Sequence, residues 1–140
     1  TMINRMKKTM QPILSYVEDK KIEIVVENHV GLAGLKAFIL PLKQEINHPK
    51  FGLLLDFGNF NPKNDIYDMI PKLEDFIHLV HCKSYNFDEK GEETTLDYNR
   101  IMRELNEISY NGYYSIEYEG KGDNLKGTKK TLELMKKYLR

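Results

Sequence analysis

The sequence predicts an α/β fold made of parallel βα repeats. A short apolar run that ends in polar residues, followed by a helical pattern, occurs four times along the 140 residues. The apolar runs are continuous rather than alternating, which is typical of strands that are buried on both faces of a parallel sheet. Four such units are compatible with a small open α/β sheet or with a fragment of an eight-stranded barrel.

Each predicted strand is rich in β-branched or aromatic residues and leads directly into a polar segment. The runs cover residues 22–26, 51–55, 76–80 and 113–116, and the polar segments begin at Glu27, Asp56, His81 and Glu117. Asn111-Gly112 is a turn signal just before the fourth run. The spacing between runs is about that needed for a helical crossover between parallel strands.

Helical periodicity fills the gaps between these strands. Apolar residues recur at i, i+3 and i+4 spacing in four segments: Ile3, Met6, Met10, Ile13, Val17; Leu35, Phe38, Ile39, Leu42, Ile46; Ile101, Met102, Leu105, Ile108; and Thr128, Leu132, Met135, Leu139. A weaker helix is expected over residues 65–73, shortened by Pro71. We expect Pro12 to kink or split the first helix, because proline lacks the amide hydrogen that helix propagation requires.

Length and composition narrow the class of protein. The length predicts one domain over residues 1–140. Twenty-one basic and 21 acidic residues balance without a basic cluster, which argues against nucleic-acid binding. No apolar run has the length of a membrane span, and no signal peptide is visible. With a single cysteine, Cys82, the composition favours a cytoplasmic location. No glycine-rich phosphate fingerprint follows any strand.

The candidate metal ligands lie at the ends of the four predicted strands. Each ends with one residue that can bind a hard or borderline metal ion: Glu27, Asp56, His81 and Glu117. Singly, each is more often a loop residue, a helix cap or a core histidine, but one per βα unit is hard to obtain by chance. If the strands belong to a barrel, their carboxyl ends converge on one mouth. Three carboxylates and one imidazole suit Mn²⁺, Mg²⁺ or Co²⁺, with Zn²⁺ as a further candidate.

Cys82 is not included in this set of candidate ligands. It directly follows His81, so its side chain should point to the opposite face of the strand. We therefore interpret Cys82 as a small packed hydrophobe and not as a nucleophile.

The ordered set of strand-end motifs resembles the xylose isomerase-like TIM-barrel superfamily, and within it the sugar phosphate isomerases and epimerases. The resemblance covers essentially the whole chain and places it in the C-terminal half of the (β/α)₈ barrel, strands five to eight. It is carried by Val25-Val26-Glu27-Asn28-His29, Leu55-Asp56-Phe57-Gly58-Asn59, Val80-His81-Cys82-Lys83 and Ser115-Ile116-Glu117.

The resemblance implies a divalent-metal-dependent isomerase or epimerase of carbohydrate metabolism that acts on a sugar or sugar phosphate. Its metal ligands fall on Glu27, Asp56, His81 and Glu117. Glu27 and Glu117 are also implied as the catalytic acid–base pair, which moves a proton between the two faces of a substrate carbon through a metal-stabilised enediolate. The chemistry is reasonable, because a sugar C–H is very weakly acidic unless charge on the adjacent oxygen is neutralised.

Three further residues are expected to bind substrate: His29, Asn59 and Lys83. Asn59 stands where many relatives have histidine, and it can hydrogen-bond a sugar hydroxyl although it is a poorer metal ligand. Lys83 is followed by Ser84, where relatives often have an acid. Lys83 either touches a substrate hydroxyl or phosphate, or is simply an exposed lysine on a loop; the sequence does not distinguish these.

Two alternatives to a catalytic half-barrel stay open. One is a non-catalytic module that binds metal or sugar or only packs against a partner. The other is DNA repair of the endonuclease IV type, which the missing histidines and the absence of a basic surface disfavour.

A complete barrel of this type needs about 250 residues. We therefore expect a homo-oligomer of half-barrels, a swapped assembly, or a partner that supplies the N-terminal half. The expected apolar inner face comprises Val25, Leu55, Val80 and Ile116.

Overall fold

The structure, a computed structural model, describes residues 2–139 and contains one four-stranded parallel sheet in the order β1-β2-β3-β4. Five helices alternate with the strands, so the predicted parallel βα repeats are confirmed. The elements are α1 (Met2–Val17), β1 (Ile24–Glu27), α2 (Lys36–Glu45), β2 (Phe51–Asp56), α3 (Asp65–Leu73), β3 (Ile77–Ser84), α4 (Tyr98–Glu107), β4 (Tyr113–Tyr118) and α5 (Asn124–Tyr138).

Strand β3 is longer than the sequence indicated. It continues through His81 to Ser84, so His81 lies inside the strand and not at its end. The registers show why this matters: Asp56 pairs with His81, and Lys83 pairs with Glu117. Successive strands are therefore staggered, and the four side chains reach a common level at the carboxyl edge of the sheet.

Proline does not split the first helix. Helix α1 runs continuously from Met2 to Val17 with Pro12 inside it. Pro12 is exposed, so water can hydrate the carbonyl that loses its helical hydrogen bond. The alternative that Pro12 splits the helix is therefore wrong, and the alternative of a kink stays a prediction.

The hydrophobic core lies between the sheet and its helices. Its strand residues point away from the candidate site and include Phe51, Leu53, Leu55, Val80 and Cys82. Three of the expected inner-face residues, Leu55, Val80 and Ile116, thus face the helix side of the sheet, and that part of the expectation is wrong. Among residues 2–139, no helix is both long and apolar enough to cross a membrane.

Helix α5 buries a different face from the expected one. Gly127, Thr131, Leu134 and Met135 are buried, while Leu132 and Leu139 are exposed. A side chain at position 127 would collide with the Tyr118 ring, because a Cβ there would lie 2.3 Å from two of its atoms. The close approach of this helix to β4 therefore turns the small residues inward and rotates Leu132 and Leu139 away from the core.

Candidate metal centre

Asp56, the last residue of β2, is held by an amide clamp. The Asn28 side chain accepts a hydrogen bond from the Asp56 backbone amide at 2.7 Å and donates one to the Asp56 carbonyl oxygen at 3.0 Å. The Gly58 amide donates to Asp56 Oδ1 at 2.8 Å. Both Asn28 and Asp56 are fully buried. These bonds fix the aspartate side chain and leave Oδ2 as its second oxygen.

The four candidate ligands converge. One ligand atom from each of Glu27, Asp56, His81 and Glu117 lies within 4.8 Å of the other three. His81 Nδ1 is 3.1 Å from Glu117 Oε2, and it is 3.8 Å from both Asp56 Oδ2 and Glu27 Oε1. Atoms bound about 2.0–2.2 Å from one ion are separated by roughly 3–4 Å, so these spacings fit one divalent ion.

Three of these atoms also lack a hydrogen bond of ordinary geometry, although Lys83 Nζ forms ion pairs with the two carboxylate oxygens among them. Asp56 Oδ2, His81 Nδ1 and Glu117 Oε2 are buried and make no hydrogen bond of ordinary geometry to any residue from 2 to 139. A buried polar atom without a partner costs ~1–3 kcal/mol. Three such atoms that face one another, two of them carboxylate oxygens, match the donor set of a hard or borderline divalent ion. The residues therefore fit a metal site.

The pKa values of two carboxyl groups in the cluster, Asp56 and Glu117, are shifted in opposite directions. Burial raises the pKa of Asp56 to about 7, although the Gly58 amide hydrogen bond opposes this rise. Burial also acts to raise the pKa of Glu117, but hydrogen bonding with Lys83 and Asp56 outweighs it, and the pKa of Glu117 is lowered. Without a metal ion, a proton is thus held on Asp56 in preference to Glu117.

Lys83 lies beside the cluster and is almost fully buried, with 1% of its surface exposed. Its Nζ atom is 2.9 Å from Glu117 Oε2, 3.3 Å from Asp56 Oδ2 and 2.8 Å from Glu119 Oε1. Its carbonyl oxygen accepts a hydrogen bond from the Tyr98 hydroxyl at 2.6 Å. The interpretation of Lys83 as an exposed loop lysine is wrong, because the strand continues past it and its side chain turns toward the carboxylates.

The remaining residues singled out in the sequence take different positions. The Asn59 side chain donates a hydrogen bond to Glu27 Oε1 at 3.2 Å, so it is joined to the cluster. His29 is exposed in the loop after β1 and is not part of the cluster. Cys82 is fully buried on the opposite face, and burial raises the pKa of its thiol, which agrees with an inert packed residue.

Sequence reasoning missed several residues at this site. Asn28 and Glu119 were visible only as polar neighbours of predicted ligands, and their roles depend on pairings between strands. Tyr85 follows β3 with its ring over Gly58, where an added Cβ would lie 2.4 Å from the Tyr85 hydroxyl oxygen. A glycine two residues after the predicted ligand Asp56 was the one sequence signal that another group lies close to the backbone there.

Comparison with known proteins agrees with this geometry. A model of the family described as xylose isomerase-like TIM barrel matches residues 1–138. The chain belongs to this family. An uncharacterised protein of Methanocaldococcus jannaschii is 25% identical over 94% of this chain and 47% of its own length.

Solved structures show the same fold. A D-tagatose 3-epimerase-like protein, 26% identical, superposes with a TM-score of 0.76 over 98% of this chain and 54% of its own. D-allulose 3-epimerase from Methylomonas sp., 20% identical, gives a TM-score of 0.78 over 97% of this chain and 55% of its own. The chain thus spans about half the length of the proteins it matches, and its four strands correspond to half of a TIM barrel.

Proposed function

We propose that this chain supplies the metal-binding and acid–base half of a sugar isomerase or epimerase site that works by proton transfer. One observation carries the proposal: four ligand atoms from four consecutive strands lie within 4.8 Å of one another. Membership of the xylose isomerase-like family and the structural similarity to sugar 3-epimerases support it. The substrate class is a sugar or a sugar phosphate.

Glu27, Asp56, His81 and Glu117 would hold the divalent ion. When bound, such an ion supplies positive charge that stabilises negative charge on neighbouring substrate oxygens, as in an enediolate. Asp56 and His81 come from the two central strands, and the Asn28 clamp fixes Asp56. We assign these two residues mainly to metal binding.

Glu27 and Glu117 would transfer the proton. They lie on β1 and β4, the outer strands of the sheet, so they can approach a substrate from different sides. Epimerisation requires this arrangement, because the proton must leave one face of a carbon and return to the other. Asn59 orients Glu27, and Lys83 orients Glu117, through the contacts described above.

The substrate contacts are assigned by position. His29 is exposed after β1 and carries an imidazole that can bind a sugar hydroxyl at the mouth. Asn59 has a second amide hydrogen and a carbonyl oxygen with which to bind substrate while it holds Glu27. Lys83 is surrounded by carboxylates, so any contact with substrate would be secondary to its ion pairs.

The test uses a chimera, because the chain spans about half of a barrel. Residues 1–140 would replace the matching half of the D-tagatose 3-epimerase-like protein, and the chimera would be incubated with Mn²⁺ and a panel of ketoses and ketose phosphates in D₂O. We expect Mn²⁺-dependent epimerisation with deuterium at the reacting carbon. Aldose–ketose isomerisation without exchange would point to a hydride shift and remove the acid–base roles of Glu27 and Glu117.

Variants assign the roles. Glu27→Gln and Glu117→Gln should each lower kcat by ~10²–10⁴-fold, the usual contribution of a general acid or base, while Mn²⁺ still binds through the remaining ligands. Glu133→Gln, on the exposed face of α5, is the matched control and should leave kcat unchanged. A folded, Mn²⁺-loaded chimera that turns over none of the sugars would favour the alternative of a non-catalytic binding module.

A further inference from the structure

Lys83 shares two carboxylate oxygens with the metal centre. Asp56 Oδ2 and Glu117 Oε2 lie 3.8 and 3.1 Å from His81 Nδ1, and 3.3 and 2.9 Å from Lys83 Nζ. In two-metal sites, the ions lie about 3.5–4 Å apart and the same carboxylates commonly contact both. The Lys83 ammonium therefore lies where a second ion would lie.

A third carboxylate, that of Glu119, completes the surroundings of Lys83. Glu119 Oε1 is 2.8 Å from Nζ, on a side chain that is about half exposed. Together with Asp56 and Glu117, it gives the ammonium three anionic neighbours. Three carboxylates around one point, with Asp56 buried and Glu117 partly buried, form a cation site, and the cation that occupies it is the lysine of the same chain.

We propose that Lys83 is a built-in cation that takes the place of a second metal ion and limits the centre to one divalent ion per chain. The inference rests on the metal centre of the proposed function, and it adds the number of ions. It also separates this site from multi-metal phosphodiester chemistry, in which two ions clamp the attacking and leaving oxygens.

Lys83 already supplies one positive charge within 3.3 Å of Asp56 Oδ2, Glu117 Oε2 and Glu119 Oε1. A second divalent ion at this point would meet both the charge and the volume of the lysine side chain.

The test counts Mn²⁺ ions bound to the chain at pH 8 by equilibrium dialysis with elemental analysis. Electron paramagnetic resonance then shows whether any two ions are exchange-coupled neighbours. The wild-type chain should bind one Mn²⁺. Lys83→Met should bind the first ion ~10-fold or more tightly, because a unit charge a few ångströms from a dication is removed. It should also bind a second, coupled ion.

Two further variants sharpen the result. Lys83→Met with Glu119→Gln should lose the second ion, because its outer carboxylate is gone. Lys136→Met makes the same change of charge on exposed α5 and should leave ion number and affinity unchanged. If Lys83→Met does not fold, Lys83→Gln carries the same expectation with a polar side chain.

The outcomes are distinct. Two coupled ions on the wild-type chain would overturn the inference and leave the proposed metal centre standing. One ion with unchanged affinity in a folded Lys83→Met or Lys83→Gln variant would also overturn it. No ion on the wild-type chain would remove the proposed metal centre, and the inference with it.

Discussion

Asp56 is expected to destabilise the metal-free chain, and Asp56→Asn should make that chain more stable. The side chain is fully buried, and burial raises its pKa from 3.8 to about 7. The unfolded chain keeps this carboxylate in water, so folding at neutral or higher pH must desolvate it or protonate it. Asparagine has the same shape, keeps an oxygen for the Gly58 amide, and directs its amide nitrogen toward the Glu117 carboxylate.

The magnitude follows from the pKa difference. One pKa unit corresponds to about 1.4 kcal/mol, so a shift from 3.8 to about 7 costs ~4 kcal/mol at pH 8. A carboxyl group whose pKa is raised by folding loses its contribution to stability as the pH rises through the folded pKa. The advantage of Asp56→Asn should therefore be ~2–4 kcal/mol at pH 8 and fall to ~1–2 kcal/mol at pH 5.

The assay is urea unfolding followed by circular dichroism, in EDTA and in Mn²⁺, at both pH values. Mn²⁺ at 100 times its dissociation constant should stabilise the wild-type chain by ~2.7 kcal/mol, while the variant, which lacks one ligand, gains less. Asp19→Asn is the control, since Asp19 is exposed and the change should stay within ~0.5 kcal/mol. A variant that is less stable than wild type in EDTA at pH 8, or whose advantage grows at low pH, would refute the reasoning.

Two further expectations concern buried polar groups. Asn28→Ala removes both hydrogen bonds to the Asp56 backbone. It should lower the free energy of unfolding in urea by ~2–3 kcal/mol and weaken Mn²⁺ binding measured by calorimetry. Asn64→Ala, at an exposed position, should change neither quantity. Glu93 accepts four backbone amides in the loop after β3, so Glu93→Gln, which puts a donor against two of them, should cost ~2–4 kcal/mol. Its neighbour Glu92, exposed and paired with a lysine, should tolerate the same change within ~0.5 kcal/mol, and equal losses for both would contradict the role of Glu93.

Hydrophobic pattern predicted most of the fold, because strand and helix periods depend on local sequence. The prediction of the inner face was wrong, because successive side chains of a strand point to opposite faces of the sheet and this alternation was not considered. Leu55, Val80 and Ile116 each directly precede a ligand, so they must face away from the ligands. The residues that share the ligand face lie two positions earlier, as Val25 does before Glu27.

The ligand set could be read from the sequence, but the network around it could not. Glu27, Asp56, His81 and Glu117 each follow an apolar run, which is a local signal. The burial of Lys83 depends on the length of β3 and on its pairing with Glu117 in β4. Neither is local, so the same lysine was equally compatible with a loop on the surface.

The two open edges of the sheet lead to a last prediction, about association. Tyr113 on β4 is 83% exposed, and Leu132 and Leu139 of α5 are exposed beside Tyr114 and Ile116 of the same strand. Parallel strands with free edges and adjoining apolar surface favour pairing with further strands. We expect this edge to be covered in the functional protein by additional βα units, from the same polypeptide or from another.

Helix number decides between a second copy and a different partner. Residues 2–139 hold five α-helices around four strands, with α1 before β1 and α5 after β4. If two copies closed an eight-stranded barrel, β4 of one copy would pair with β1 of the other. Helix α5 of the first copy and helix α1 of the second would then both have to pack over that strand pair, where a barrel has one crossover helix. The fitting partner instead brings four strands joined by three helices. Co-expression with the N-terminal half of the D-tagatose 3-epimerase-like protein should therefore give a one-to-one complex in sedimentation, with slowed amide exchange along β1 and β4. A symmetric homodimer with both edges protected, or a soluble monomer that ignores the partner at high concentration, would show that this steric argument is wrong.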